Sequence, residues 1–382
     1  MRLALPAKRT LRHIYLELTH SCNLDCVYCY KGLKVQVHMD ERVAKNGIDW
    51  LLDASGDSTV HLNVSLMGGE PLLRFDLIKQ LVPYAQTRAG QRGKDIRFNV
   101  TTNCTLVTDE IISFWKKYGM LFHCSIDGLP EVQNRNRPMV GGKASSHAVE
   151  RNVPRILAFQ PDATARATVT PDSVPYLAQS AEYLLKLGFR LMAFVPGIIN
   201  CDWQARHLEI LREEYHKLGR FYIDQLASCG RAVISDLSRG LRALHSVQPA
   251  SRLPCGAGSS SAMIDPVGNI YPCTAFGPKQ CGGQFRLGRL GEPFNDRLRD
   301  VFLNYDLFTD GRGDCHSCRA RLTCRDWCFA ACTESSLSLY SPGKAHCEVR
   351  RIIHDEIVEV DDYLKCHHSD ALKSVVKDVA SN

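Results

Sequence analysis

Hydrophobic and polar positions alternate along His13–Thr19 (HIYLELT), and again through Val60, Leu62, Val64 and Leu66, with the period of two expected of half-buried strands. Between these runs Ala44, Ile48, Leu51 and Leu52 recur at helical spacing behind Asp40, a residue suited to cap a helix. The alternation of strand and helix continues. Strands are expected over 96–102, 121–126, 165–170 and 191–195, with helical stretches such as 174–187 between them. Six strands joined by crossover helices predict an α/β fold with a parallel sheet, in which ligand groups collect at the carboxyl ends of the strands. From 202 to about 247 a long polar helical stretch follows.

Composition narrows the class of protein. A chain of 382 residues with 45% hydrophobic and 23% charged residues has enough apolar material for one large domain and a smaller one. The net charge of +6 is spread along the chain, so it makes no case for nucleic acid. The N-terminal MRLALPAKRTLRH has too short an apolar stretch for a signal peptide, and no later run approaches a membrane span. A cytoplasmic protein is expected. Seventeen cysteines in that compartment, an odd number, argue for metal rather than a disulfide framework.

Three of those cysteines, Cys22, Cys26 and Cys29, stand at C-x3-C-x2-C just after the first strand. A zinc module closes its coordination with a fourth Cys or His, and a ferredoxin-type cluster uses four thiolates. Three thiolates leave one iron of a cubane cluster open to bind substrate. His20, two residues before Cys22, is the nearby alternative ligand, and its place at a strand end points it away from the loop.

With this loop the sequence resembles the radical S-adenosylmethionine (SAM) superfamily. That resemblance implies a partial (β/α)6 TIM-like barrel in which SAM chelates the open iron of a [4Fe-4S] cluster. The reduced cluster then cleaves SAM to a 5'-deoxyadenosyl radical. Further motifs carry it. Gly68, Gly69, Glu70 and Pro71 resemble the segment that meets the SAM ammonium: glycines permit close backbone approach and a carboxylate accepts charge-assisted hydrogen bonds. Ser125 and Asp127, in SIDG, resemble a segment near the ribose and methionine moieties. Tyr28 matches the aromatic position set against adenine, Thr102 and Asn103 match a pair at the end of the third strand, and Arg166 is a candidate for the SAM carboxylate.

A second cysteine group begins with Cys255 and Cys273, in C-x12-G-x4-C, and continues with Cys315, Cys318, Cys324 and Cys328, in C-x2-C-x5-C-x3-C, and then Cys347. By themselves the C-x2-C pairs suit zinc, and an interaction module holding zinc is the reading from a different class. After the N-terminal triad, and with LGRL at 287–290 between the two groups, the order resembles a small Cys-rich SPASM domain with two auxiliary [4Fe-4S] clusters, three clusters in all. The resemblance implies that Cys315, Cys318, Cys324 and Cys347 hold the outer auxiliary cluster. Cys255, Cys273 and Cys328 would hold the inner one, whose last iron is open or closed by Cys281 or Cys332. These two are also the candidate hydrogen donors. Cys104, Cys124, Cys201, Cys229 and Cys366 have no motif context.

The expected organisation is a barrel over 1–235, a linker helix region and SPASM domain over 236–366, and a tail over 367–382. The resemblance implies an oxidoreductase that modifies a ribosomally made peptide or protein, with oxidative crosslinking as the leading outcome. Its alternatives are a formylglycine-generating sulfatase maturase, a peptide epimerase and a small-molecule dehydrogenase. The sulfatase maturases carry an Asp just after the cysteine matching Cys273, where this chain has Thr274. An external electron donor such as flavodoxin or ferredoxin is implied. With the first strand starting by His13 there is no room for an N-terminal leader-binding domain, so leader recognition falls to the barrel, the SPASM surface or a separate protein.

Overall fold

The structure, a computed structural model, describes residues 10–32, 34–231, 233–246, 256–277, 283–303, 315, 317–324, 328–336 and 342–377. Six βα units form its first half: β1 (His13–Thr19), α1 (Glu41–Ala54), β2 (His61–Gly68), α2 (Phe75–Gly90), β3 (Asp95–Thr102), α3 (Asp109–Tyr118), β4 (Leu121–Ser125), α4 (Pro130–Asn136), α5 (Ser146–Phe159), β5 (Thr164–Val169), α6 (Leu177–Lys186) and β6 (Leu191–Pro196). β1 to β6 are parallel and adjacent in chain order, the arrangement that right-handed crossovers produce. Ile14, Leu16 and Leu18 are fully buried in the core, and Leu16 closes on Gly47 of α1, where a side chain would crowd it. The alternate positions are polar: His13 Nε2 meets Ser65 Oγ at 2.8 Å, and Glu17 lies at the carboxyl end near the cysteine loop.

Two details differ from the sequence expectation. The second strand starts at His61 and leaves Val60 half exposed, because β2 pairs with β3 only from His61↔Asp95 onward. The stretch over 202–247 is two helices, α7 (Ala205–Cys229) and α8 (Ser235–Leu244), broken at Gly230, whose φ of 64° ends the first helix in the left-handed conformation.

The sheet also extends beyond six strands. β7 (Ser261–Ile264) pairs in parallel with the free edge of β1, from His13↔Ser261 to Leu16↔Ile264, and β8 (Asn269–Tyr271) and β9 (Gly288–Arg289) continue it antiparallel. The LGRL segment therefore supplies an edge strand. The remaining helices are α9 (Asp296–Leu303), α10 (Phe329–Ser336), α11 (Lys344–His367) and α12 (Ser369–Lys377). α11 packs along α7 and so ties the C-terminal region to the barrel. Among the described residues no helix is long and apolar enough to cross a membrane.

Candidate active site at the carboxyl ends of the barrel strands

The cysteine loop leaves β1 at Thr19, whose Oγ1 accepts the Ser21 N–H at 3.0 Å. Asp25 N–H and Val27 N–H donate to the carbonyls of Pro138 and Asn136 at 2.7 and 2.9 Å, which fastens the loop to the end of α4. Cys22, Cys26 and Cys29 line one cavity of 370 Å³, a volume suited to a small cofactor and part of a substrate. Burial pushes the Cys22 thiol up to about 11 and raises Cys26 as well, each made worse by a neighbouring thiol. Thiolates here need a strong positive centre, which an iron cluster supplies.

The GGEP turn closes against this loop. Gly68 has φ 139°, and a Cβ on Gly68 or Gly69 would lie 2.3 Å from Thr19 O or 2.1 Å from Ser21 O. The close approach that requires glycine is thus to the chain's own backbone. Gly68, Gly69, Thr102 and Asn103 line the cavity, whereas the Glu70 carboxylate is buried behind that wall. It accepts from Leu72 N–H at 3.0 Å, Thr102 Oγ1–H at 2.7 Å and Asn103 N–H at 2.8 Å. Burial raises it to about 7 against the pull of those donors.

Asp127 is likewise one layer back. Its carboxylate accepts from Tyr28 Oη–H at 2.7 Å, Asn136 Nδ2–H at 3.2 Å and Thr168 N–H at 2.9 Å, and pairs with Arg137 at 3.0 Å. Ser125, Tyr28 and Arg137 face the cavity, and the Arg137 guanidinium lies 5.2 Å from the centre of the Tyr28 ring. Sequence reasoning missed Arg137, whose position in NRNRP carries no motif; only its pairing with Asp127 marks it. Arg166 is exposed on β5 and is not part of the described cavity wall. His20 lines the cavity and points Nε2 toward Glu17 at 3.6 Å.

The opposite wall comes from elsewhere in the chain. The end of β6 and residues 197–199 supply an apolar strip, while Cys328, together with His346 and Arg350 of α11, approaches from the C-terminal region. Lys31 bridges the two halves: its Nζ pairs with Glu17 at 3.0 Å and donates to Thr274 O at 3.0 Å, while Tyr30 Oη–H donates to Thr274 Oγ1 at 3.3 Å. Burial opposes the Glu17 charge, but Lys31 and His20 hold the carboxyl below its ordinary range.

Cys315, Cys318, Cys324 and Cys347 come together although Cys347 is distant in sequence. The other three thiolates would all act on Cys324, which burial pushes up to about 11. Cys273 is half-buried beside Thr274, and Cys332 is fully buried one helical turn after Cys328. Cys255 and Cys281 lie outside the described residues. Cys104 and Cys124 are buried, Cys201 is half-buried, and Cys229 and Cys366 are exposed.

Comparison with known proteins agrees with this geometry. An uncharacterized protein of Methanocaldococcus jannaschii, MJ0907, is 32% identical over 184 residues, covering 48% of this chain and 62% of that protein, so the chain spans less than two thirds of that relative. The serine-type anaerobic sulfatase-maturating enzyme of Klebsiella aerogenes is 24% identical over 333 residues, with 83% of this chain and 80% of that one covered. The fold matches native anSMEcpe with bound AdoMet at a TM-score of 0.76 and 18% identity, over 92% of this chain and 99% of that one. The Radical SAM superfamily profile matches residues 16–184. Those residues, with the cysteine loop and the cavity it lines, make up a radical SAM domain.

Proposed function

We propose that the protein is a radical SAM oxidoreductase that modifies a ribosomally made peptide or protein by two-electron oxidation, with a crosslink as the leading product. One observation carries this reading: Cys328, a ligand expected for the inner auxiliary cluster, lines the same cavity as Cys22, Cys26 and Cys29. A substrate held between them has the SAM site on one side and an electron acceptor on the other. When bound, SAM and its reduced cluster supply a 5'-deoxyadenosyl radical that abstracts a hydrogen atom. The chain's own residues do the rest. Gly68, Gly69, Thr102, Asn103, Ser125 and Tyr28 shape the SAM pocket, and Arg137 takes the place expected of Arg166 as the cation toward the SAM carboxylate. Apolar residues 197–199 help exclude water.

In this reading Cys315, Cys318, Cys324 and Cys347 hold the outer cluster, and Cys255, Cys273 and Cys328 the inner one, closed by Cys332 or Cys281 or left open. An external reductant feeds the first cluster, in a reducing compartment such as the cytoplasm. A separate protein is one route for delivering the leader of a precursor peptide. The formylglycine alternative is weakened at Thr274: where that reaction would have a carboxylate, this chain has a hydroxyl held by Tyr30 and a carbonyl held by Lys31.

The test is anaerobic turnover with SAM, dithionite and peptides encoded beside the gene. Slow release of 5'-deoxyadenosine alone, and faster release with a cognate peptide whose product is two mass units lighter, is expected. Cys315→Ala or Cys318→Ala should suppress the product more than SAM cleavage. Turnover of free sugars or amino acids but of no peptide would overturn the reading, and a product of unchanged mass would replace oxidation with epimerisation.

A further inference from the structure

Away from the cavity, α7 and α11 bring three metal-ligating side chains together across their packing seam. His216 Nδ1 lies 3.5 Å from Glu356 Oε2 and 3.1 Å from Glu359 Oε2, and the ligand atoms all fall within 4.8 Å of one another. Zinc bound to nitrogen or oxygen at roughly 2.0–2.1 Å would place its ligands about 3.3 Å apart, so the two shorter separations are already those of tetrahedron edges.

Glu356 is the unusual member. It is only 6% exposed, and its nearest basic partner is the same imidazole nitrogen that Glu359 already meets. Two carboxylates thus share one nitrogen. The fold nevertheless keeps room for this group. Gly219 of α7 faces it, and a Cβ there would lie 1.8 Å from Glu356 Oε1. A glycine inside a helix costs about 1 kcal/mol against alanine.

We propose that His216, Glu356 and Glu359 form a divalent-cation site, with zinc as the best-suited ion, that clamps α11 onto α7. Nitrogen and carboxylate donors at this spacing favour zinc over magnesium or calcium, which take six or more oxygens. His216 and Glu359, both exposed, leave the fourth position to water. The exposed Arg220 Nε–H donates to His216 Nε2 at 3.3 Å, so an ion bound through Nδ1, which puts the proton on Nε2, requires that bond to give way. The clamp would hold the helix that carries Cys347 in its first turn and presents His346 and Arg350 to the cavity.

The test uses the cluster-loaded protein, exposed to zinc chloride, desalted, and analysed for zinc and iron. One zinc per chain beyond any held by the His216→Ala variant, with equal iron in both, is expected. Glu359→Gln, at an exposed position, should weaken zinc binding about tenfold or more and abolish a zinc-dependent rise in Tm. Equal zinc in wild type and both variants, or none in the wild type, would overturn the proposal, leaving the seam a proton-sharing ion pair; neither outcome bears on the radical chemistry.

Discussion

The backbone N–H of Glu70 donates to the carbonyl of Ser21 at 2.9 Å, joining the GGEP turn to the residue just before Cys22. Gly69 makes that approach possible, since a Cβ on it would meet the Ser21 carbonyl at 2.1 Å. Gly69→Ala must therefore displace the cysteine loop. The expected result is a reconstituted protein lacking one cluster's worth of iron, with the auxiliary clusters intact; iron content equal to wild type would show that the loop tolerates the shift.

Glu70→Gln tests the wall behind SAM. The carboxylate receives three hydrogen bonds on two oxygens, and an amide puts an N–H group opposite one of those donors. Leaving such a buried group unsatisfied costs roughly 1–3 kcal/mol. Thr102 and Asn103 would lose their anchor, and SAM affinity measured by equilibrium binding should fall about tenfold to a hundredfold with iron unchanged. Unaltered affinity would separate this carboxylate from the SAM site.

Three cubane clusters correspond to about twelve iron atoms per chain. Replacing Cys22, Cys26 and Cys29 together by Ala should remove about four and abolish SAM cleavage while preserving the auxiliary clusters' visible absorption. The same iron content in the triple variant, or cysteine sites filled by zinc, would defeat the cluster assignment.

Arg137 neutralises a carboxylate whose side chain is fully buried. Arg137→Leu leaves Asp127 charged and without a cation, at a cost of about 3–5 kcal/mol. Urea unfolding should show this loss, and adding Asp127→Asn should recover part of it. Additive losses in the double variant would mean that the pair is not coupled.

His13 supplies a pH signature. Burial, then repulsion from His123, lowers its pKa from 6.5 to about 4. The unfolded chain therefore binds more protons between those values, so this contribution to stability is complete above pH 6.5 and is lost as pH falls toward 4. From pH 7.5 to 5.5 the loss is about 1.3 kcal/mol by that linkage, and His13→Gln should remove it from the urea profile. Parallel profiles for the two proteins would place the titration elsewhere.

The sequence by itself determined what depends on neighbours along the chain. The alternation in His13–Thr19 is the pleat of β1, the stripe of Ala44, Ile48, Leu51 and Leu52 is the buried face of α1, and Asp40 does accept the Val43 N–H that caps it. The C-x3-C-x2-C loop was legible for the same reason, since its three cysteines are close neighbours along the chain and line one cavity. Only the tertiary structure decided where charges are compensated and how the two halves join. Arg137 faces Asp127, Lys31 ties Glu17 to Thr274, β7 takes the open edge of β1, and Glu356 meets His216 from a distant helix. Period and spacing carry no information about such pairs. A buried carboxylate selects its partner by distance after folding, and a free strand edge pairs with whichever segment can satisfy its backbone groups, however far along the chain that segment lies.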